Sequence, residues 1–360
     1  MNKKLSKLES LRGFATVYVV FHHSFENNFF LFGHNISYIF RFGQEAVILF
    51  FFLSGFVIHY SYSNSKNKSF KWFFFKRFFR IYIPLIIVFT VNFLIFYLQN
   101  SHLPKFAWVN LLGNFFMIQD DSWIKPNVIC TPFLGNTPLW SLSYEWWFYM
   151  IFIFISLKVK VNQSYLVYSL SIISTLTYLI YPNFINRELM YLIIWWIGTD
   201  IAKLYINQEM LTLNALSSAI YVLLLNILLL IVNALMHRNQ IKNPGLNPIL
   251  ELRHFCFAFL CIIAVIFWQR INWIGFKHTF GLFEKVAPIS FGIYISHWFL
   301  ITTATYLYFL TINKFVLFFL YSVICILFSI LVEKIMYPAL NNFLLKYLTN
   351  KQVNRYEKLR

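Results

Sequence analysis

Arg12 and His23 stand eleven positions apart in LESLRGFATVYVVFHHSF, residues 8–25, a stretch otherwise apolar enough to enter a bilayer. Eleven residues make almost three whole turns of helix, so the two side chains share one face about 16 Å apart. A guanidinium holds phosphate or carboxylate through paired hydrogen bonds, and an imidazole serves as base or nucleophile. One face therefore joins an anion-binding level to a titratable base. His22 points about 80° away from Arg12. An arginine snorkelling to lipid phosphate beside a histidine satisfied by a neighbouring helix would leave the same pattern.

Three other stretches carry groups of the same kind. In NTPLWSLSYEWWFYM, Glu145 lies about seven residues into an apolar segment entered from the opposite side, about 10 Å deep, close to the depth of His23. A carboxylate at that level can fix the tautomer of an imidazole and raise its basicity. The plain alternative is a glutamate bonded to nearby Ser or Tyr hydroxyls. In FKRFFRIYIP, Arg77 and Arg80 are three apart on one face, with Lys71 and Lys76 beside them, a phosphate-binding pair or a simple topology signal. In FFFLSGFVI, Ser54 and Gly55 form a small pair that permits close helix approach, and no GxSxG turn marks Ser54 as a nucleophile. Adjacent His22 and His23 do not chelate one metal as an i, i+4 pair would, and no HExxH, Walker or GxGxxG pattern is present. No metal is expected.

These groups need elements to hold them. With 59% hydrophobic and only 12% charged residues and a mean hydropathy of +0.62, the chain reads as a polytopic membrane protein. The fold expected is all-α, a bundle of ten spans near 8–25, 43–60, 79–98, 139–157, 164–181, 188–206, 211–235, 254–269, 286–309 and 313–334, one membrane domain over 1–360 with no appended soluble domain. The basic start with no small-residue cleavage site reads as a retained first span.

Lysine and arginine are retained on the cytoplasmic side. The second break holds Lys66, Lys68, Lys71, Lys76 and Arg77; the fourth, Lys158 and Lys160; the eighth, Arg270, Lys277 and Lys285; the tail, Lys346, Lys351, Arg355, Lys358 and Arg360. The third break balances Lys105 and Lys125 against Asp120 and Asp121. Both termini are therefore expected in the cytoplasm. The seventh break fits poorly, with Arg238, Lys242 and Arg253 outside. The net charge of +17 reflects topology and anionic lipid rather than nucleic acid, since no folded soluble face exists to carry a basic surface. The four cysteines form no CxxC pair, and three sit in apolar segments as small hydrophobes.

Five stretches, in order along the chain, resemble the membrane acyltransferase family 3, the O-acyltransferases of bacterial surface glycans and related proteins. LESLRGFATVYVVFHH matches its pattern of an Arg, ten residues and a His at Arg12 and His23; AVILFFFLSGFVI matches its second-span motif ending in Ser-Gly-Phe. KRFFRIYIP matches its Arg-x-x-Arg element at Arg77 and Arg80, LWSLSYEWWFY places Glu145 on its acid, and SFGIYISHWFL matches its Tyr-x-x-His-Trp at Tyr294, His297 and Trp298. Ile48 stands where many members carry Asp, and Tyr144 replaces a small residue.

The resemblance implies ten helices in the bacterial cytoplasmic membrane and transfer of an acyl group, most often acetyl, from cytoplasmic acyl-CoA to a hydroxyl of a surface or lipid-linked glycan. It implies Arg12, Arg77 and Arg80 on the coenzyme, His23 as nucleophile or base with Glu145 as its partner, and Ser143, Tyr144, His297 and Trp298 at the acceptor. A proton-coupled transporter of glycan or lipid is the alternative that intramembrane Arg, His and Glu also allow.

Overall fold

A computed structural model describes residues 3–27, 29–104, 108–241, 243–311 and 313–346. Lys105, Lys242, Lys351, Arg355, Lys358 and Arg360, counted above for charge, lie outside the described residues. Helices occupy all ten expected stretches: α1 (Lys3–Phe25), α2 (Gly43–Ser63), α3 (Phe70–Asn100), α5 (Trp140–Lys158), α6 (Gln163–Ile180), α7 (Phe184–Ile206), α8 (Ser217–Met236), α9 (Ile249–Arg270), α10 (Ser290–His297) and α11 (Lys314–Ile330). A short α4 (Trp108–Phe115) was not expected. Two-residue strands at Phe30–Leu31 and His34–Asn35 pair between α1 and α2.

Among the described residues, six helical segments are long and apolar enough to cross a membrane: 37–63, 70–100, 184–206, 217–236, 249–270 and 314–346. Their outward faces keep large apolar side chains exposed, such as Tyr221 and Leu228 of α8 and Phe319 and Leu327 of α11, as lipid-facing surfaces do. α1 carries its charged groups on the helix itself, and α6 is short and rich in Ser and Thr.

Two elements depart furthest from the expected boundaries. α3 begins nine residues before 79, because Ser69 caps it by accepting from the Trp72 amide and the phenylalanine run continues the helix around Lys71, Lys76 and Arg77. Arg77 and Arg80 thereby sit two to three turns inside the helix rather than at its start. The expected span 286–309 is regular only to His297; the backbone widens over Trp298–Thr302, where the Thr303 hydroxyl donates to the Trp298 carbonyl.

Polar pairs tie the helix ends together and give successive helices alternating directions. At the end where α1 starts, here the proximal end, the Lys7 ammonium sits over the Trp273 ring beyond α9, Arg80 pairs with Glu333 past α11, and Ser164 of α6 donates to Asp200 of α7. At the distal end His22 meets Phe40 before α2, Arg253 of α9 pairs with Glu45 of α2, and Asp120 is held by Tyr144 of α5 and Arg187 of α7. Arg253, awkward as an isolated charge, is thus neutralised by Glu45.

The centre is the α2–α7 contact. Gly55 lies against the Trp195 carbonyl and Gly198 against the Phe52 carbonyl, so closely that a Cβ at either position would overlap backbone. This is the close approach that the Ser54-Gly55 pair suggests. Phe51, Phe148, Phe152 and Trp195 fill the space between α2, α5 and α7.

Candidate active site

Arg12 of α1, Arg77 and Arg80 of α3, and Glu145 of α5 line one cavity of about 130 Å³, together with Ser54 of α2 and Tyr294 of α10. The three arginines, which come from two separate stretches of the sequence, thus converge. Their charges are only partly matched. Arg12 donates to Glu9 at 2.9 Å, and Arg80 is bound to the buried Glu333 while lying over the Phe291 and Tyr337 rings. Arg77 stacks over Phe73 and Tyr149, 5.7 and 5.8 Å from the ring centres. The Nε atoms of Arg12 and Arg77 are buried and find no acceptor among the described residues. A buried N–H aimed nowhere is costly, and an anion in the cavity would satisfy both.

Glu145 faces this cavity rather than His23. Its carboxylate accepts from Ser54 Oγ at 2.7 Å and from the Tyr149 hydroxyl, and Ser54 also receives the Trp195 indole N–H at 3.2 Å. This is the hydroxyl-bonded arrangement that the sequence leaves open. The sequence did not convey the direction in which α5 turns Glu145, which places it among the arginines rather than beside His23.

His23 meets α10 instead. The His297 ring lies parallel to it at 5.4 Å and Trp298 stands edge-on at 5.2 Å. His297 is wholly buried, and its Nδ1–H donates to the Tyr294 carbonyl at 2.8 Å, leaving Nε2 with no partner among the described residues. Tyr294, one turn back on α10, lines the cavity and bonds Ser141 at 2.6 Å and the Pro138 carbonyl at 2.8 Å. α1 and α10 therefore run from the arginine level to the imidazole pair along the same side of the cavity.

Ser143 and Tyr144 do not reach this space. Ser143 is fully buried and donates to the Gln119 and Trp140 carbonyls at 2.8 and 2.7 Å. Tyr144 donates to Asp120 at 2.8 Å, in a buried cluster with Lys125 and Arg187. Burial holds the Lys125 ammonium below its ordinary value, with Asp120 pulling the other way. Both residues secure the 116–136 segment against α5 and α7.

Residues 5–334 match the family described as "Acyltransferase domain", acyltransferase family 3. The chain belongs to this acyltransferase family. Over 154 residues it is 34% identical to the acyltransferase MdmB of Streptomyces mycarofaciens, an alignment covering 41% of this chain and 38% of that relative. The chain thus matches little more than a third of that protein's length. No solved structure gives a significant match.

In this member of the acyltransferase family, sequence reasoning assigned Ser54 only a packing role and did not single out Tyr149, yet both bond Glu145 at the cavity. Tyr149 stands four residues after Glu145, the i, i+4 spacing of one helix face, a signal that could have found it.

Proposed function

We propose that the protein is a membrane O-acyltransferase that moves an acyl group, acetyl in the first instance, from cytoplasmic acyl-CoA to a hydroxyl of a surface or lipid-linked glycan across a bacterial inner membrane. Arg12, Arg77 and Arg80 hold the coenzyme phosphates by charge-assisted hydrogen bonds at the proximal end, which faces the cytoplasm. The pantetheine arm runs along α1 and α10 past Tyr294 and delivers the thioester to His23. In the net reaction the acceptor's O–H bond and the thioester's C–S bond break, a C–O bond forms, and the proton ends on the coenzyme thiol.

His23 serves either by taking the hydroxyl proton or by taking the acyl group itself, and both routes use the same ring lone pair. Glu145 acts through the cavity, where Ser54 and Tyr149 hold it facing Arg77, and Ser143 and Tyr144 act by fixing the distal segment beneath the acceptor. The ten-helix passage, both termini in the cytoplasm and a single membrane domain belong to this reading.

The observation that carries it is the convergence of three arginines on one cavity, with a histidine pair one helical turn beyond its Tyr294 wall. The test compares surface glycans of cells with and without the gene by mass spectrometry, alongside CoA release from acetyl-CoA by purified protein. A mass gain equal to one acyl group on a glycan supports the reading. An unchanged glycan profile together with no CoA release rules it out.

A further inference from the structure

The distal end of α1 holds a second constellation, which shares His23 with acyl transfer and adds two groups, His22 and Glu26, that the transfer does not use. One ring nitrogen each of His22 and His23 and a carboxylate oxygen of Glu26 all lie within 4.8 Å of one another. Although His22 and His23 are adjacent, His22 and Glu26 form the i, i+4 pair that puts two ligands on one helix face.

The His22 ring is fixed from two sides. Its Nδ1 is 2.6 Å from the Phe40 carbonyl oxygen, which can only accept, so Nδ1 carries the proton and donates. Gly43, the first residue of α2, packs against the ring so closely that any Cβ there would overlap it. An N–H given to a backbone carbonyl is the usual way a metal-binding histidine is oriented, and it leaves Nε2 as the ring nitrogen open to a ligand. Nε2 lies 3.4 Å from Glu26 Oε2. The separation is longer than the 2.7–2.9 Å typical of a charge-assisted N–H···O bond. It is close to the roughly 3.3 Å between two ligand atoms that each sit about 2.0–2.1 Å from a tetrahedral zinc. Glu26 lies one residue beyond α1 with 36% of its side chain exposed, so it can swing to close the set.

We propose that His22, His23 and Glu26 form a three-ligand site for a borderline divalent metal, Zn²⁺ above all, with one position open to water. Two imidazoles and a carboxylate are a ligand set that suits zinc. Occupation takes the His23 lone pair, so zinc switches off acyl transfer; this second part rests on the function proposed above, whereas binding does not.

The test uses detergent-purified full-length protein, freed of metal and carrying an affinity tag without histidine. Calorimetric titration with ZnCl₂ is expected to show one zinc per chain in the wild type, with at least tenfold weaker binding in His22→Gln and in the more exposed Glu26→Gln. Zinc is expected to inhibit the wild type reversibly, EDTA restoring transfer, while His22→Gln stays active and insensitive. Wild type that takes up no zinc, or variants that bind it as tightly as wild type, overturn the proposal. If zinc binds and both variants lose it, yet the wild type transfers no acyl group even in EDTA, the metal site stands and the acyltransferase reading fails.

Discussion

Arg77 and Arg80 share a helix face but are held differently. Arg80 neutralises the buried Glu333, whereas the charge of Arg77 rests on aromatic faces and on Glu145 nearby, with its Nε unsatisfied. Arg77 is therefore the cation most available to a phosphate. A hydrogen bond to a charged group contributes about 1.5–3 kcal/mol, so Arg77→Ala is expected to weaken acyl-CoA binding by about 10- to 150-fold. Arg80→Ala is expected to lose donor affinity and stability together, because it strands Glu333. Radioligand titration reads the first effect and thermal unfolding the second; unchanged donor affinity in Arg77→Ala would remove the coenzyme from this cavity. These arginines, with Arg12 and His23, were legible because a shared helix face follows from spacing alone. The partners of Glu145 were not, since they depend on how α2 and α5 are rotated against each other. The sequence set His22 apart only by its angle from Arg12, and the placement of Phe40 and Gly43 reveals how its ring is oriented.

Helices α5 and α7 owe their distal register to one buried carboxylate. Asp120 accepts from Lys125 at 2.9 Å, from Tyr144 at 2.8 Å and from Arg187 at 3.1 Å, all without solvent contact, while Lys125 lies 3.4 Å from the Trp140 ring centre. Asp120→Ala leaves two buried cations unpaired and is expected to cost about 3–5 kcal/mol. A lowered unfolding temperature in detergent checks this, and an unchanged one would mean that the cluster is dispensable. The cluster was invisible in the sequence, where Asp120 and Lys125 read as a solvated balance of charge in a long break. Boundaries failed most in two places: the Ser69 cap drew α3 back, and the expected span 286–309 stays regular only to His297 before the widened turn at Trp298–Thr302.

Among the described residues of the whole molecule, charged pairs sit towards the two ends of the bundle and apolar aromatic packing fills much of the middle. What hydropathy and charge could not convey is which helices touch. The cavity needs α1, α2, α3, α5 and α10 together, and α10 comes from nearly the far end of the chain. That assembly sets the His23–His297 pair one helical turn beyond Tyr294, which lines the arginine cavity. The most direct test of this arrangement is acyl transfer by wild type, His23→Ala and His22→Ala, each checked for retained acyl-CoA binding and assayed in EDTA. Loss of a reactive imidazole costs about 10²–10⁴-fold. His23→Ala is expected to bind donor normally and transfer at least 100-fold more slowly, with His22→Ala keeping much of the wild-type rate. Wild-type activity in His23→Ala would contradict the account.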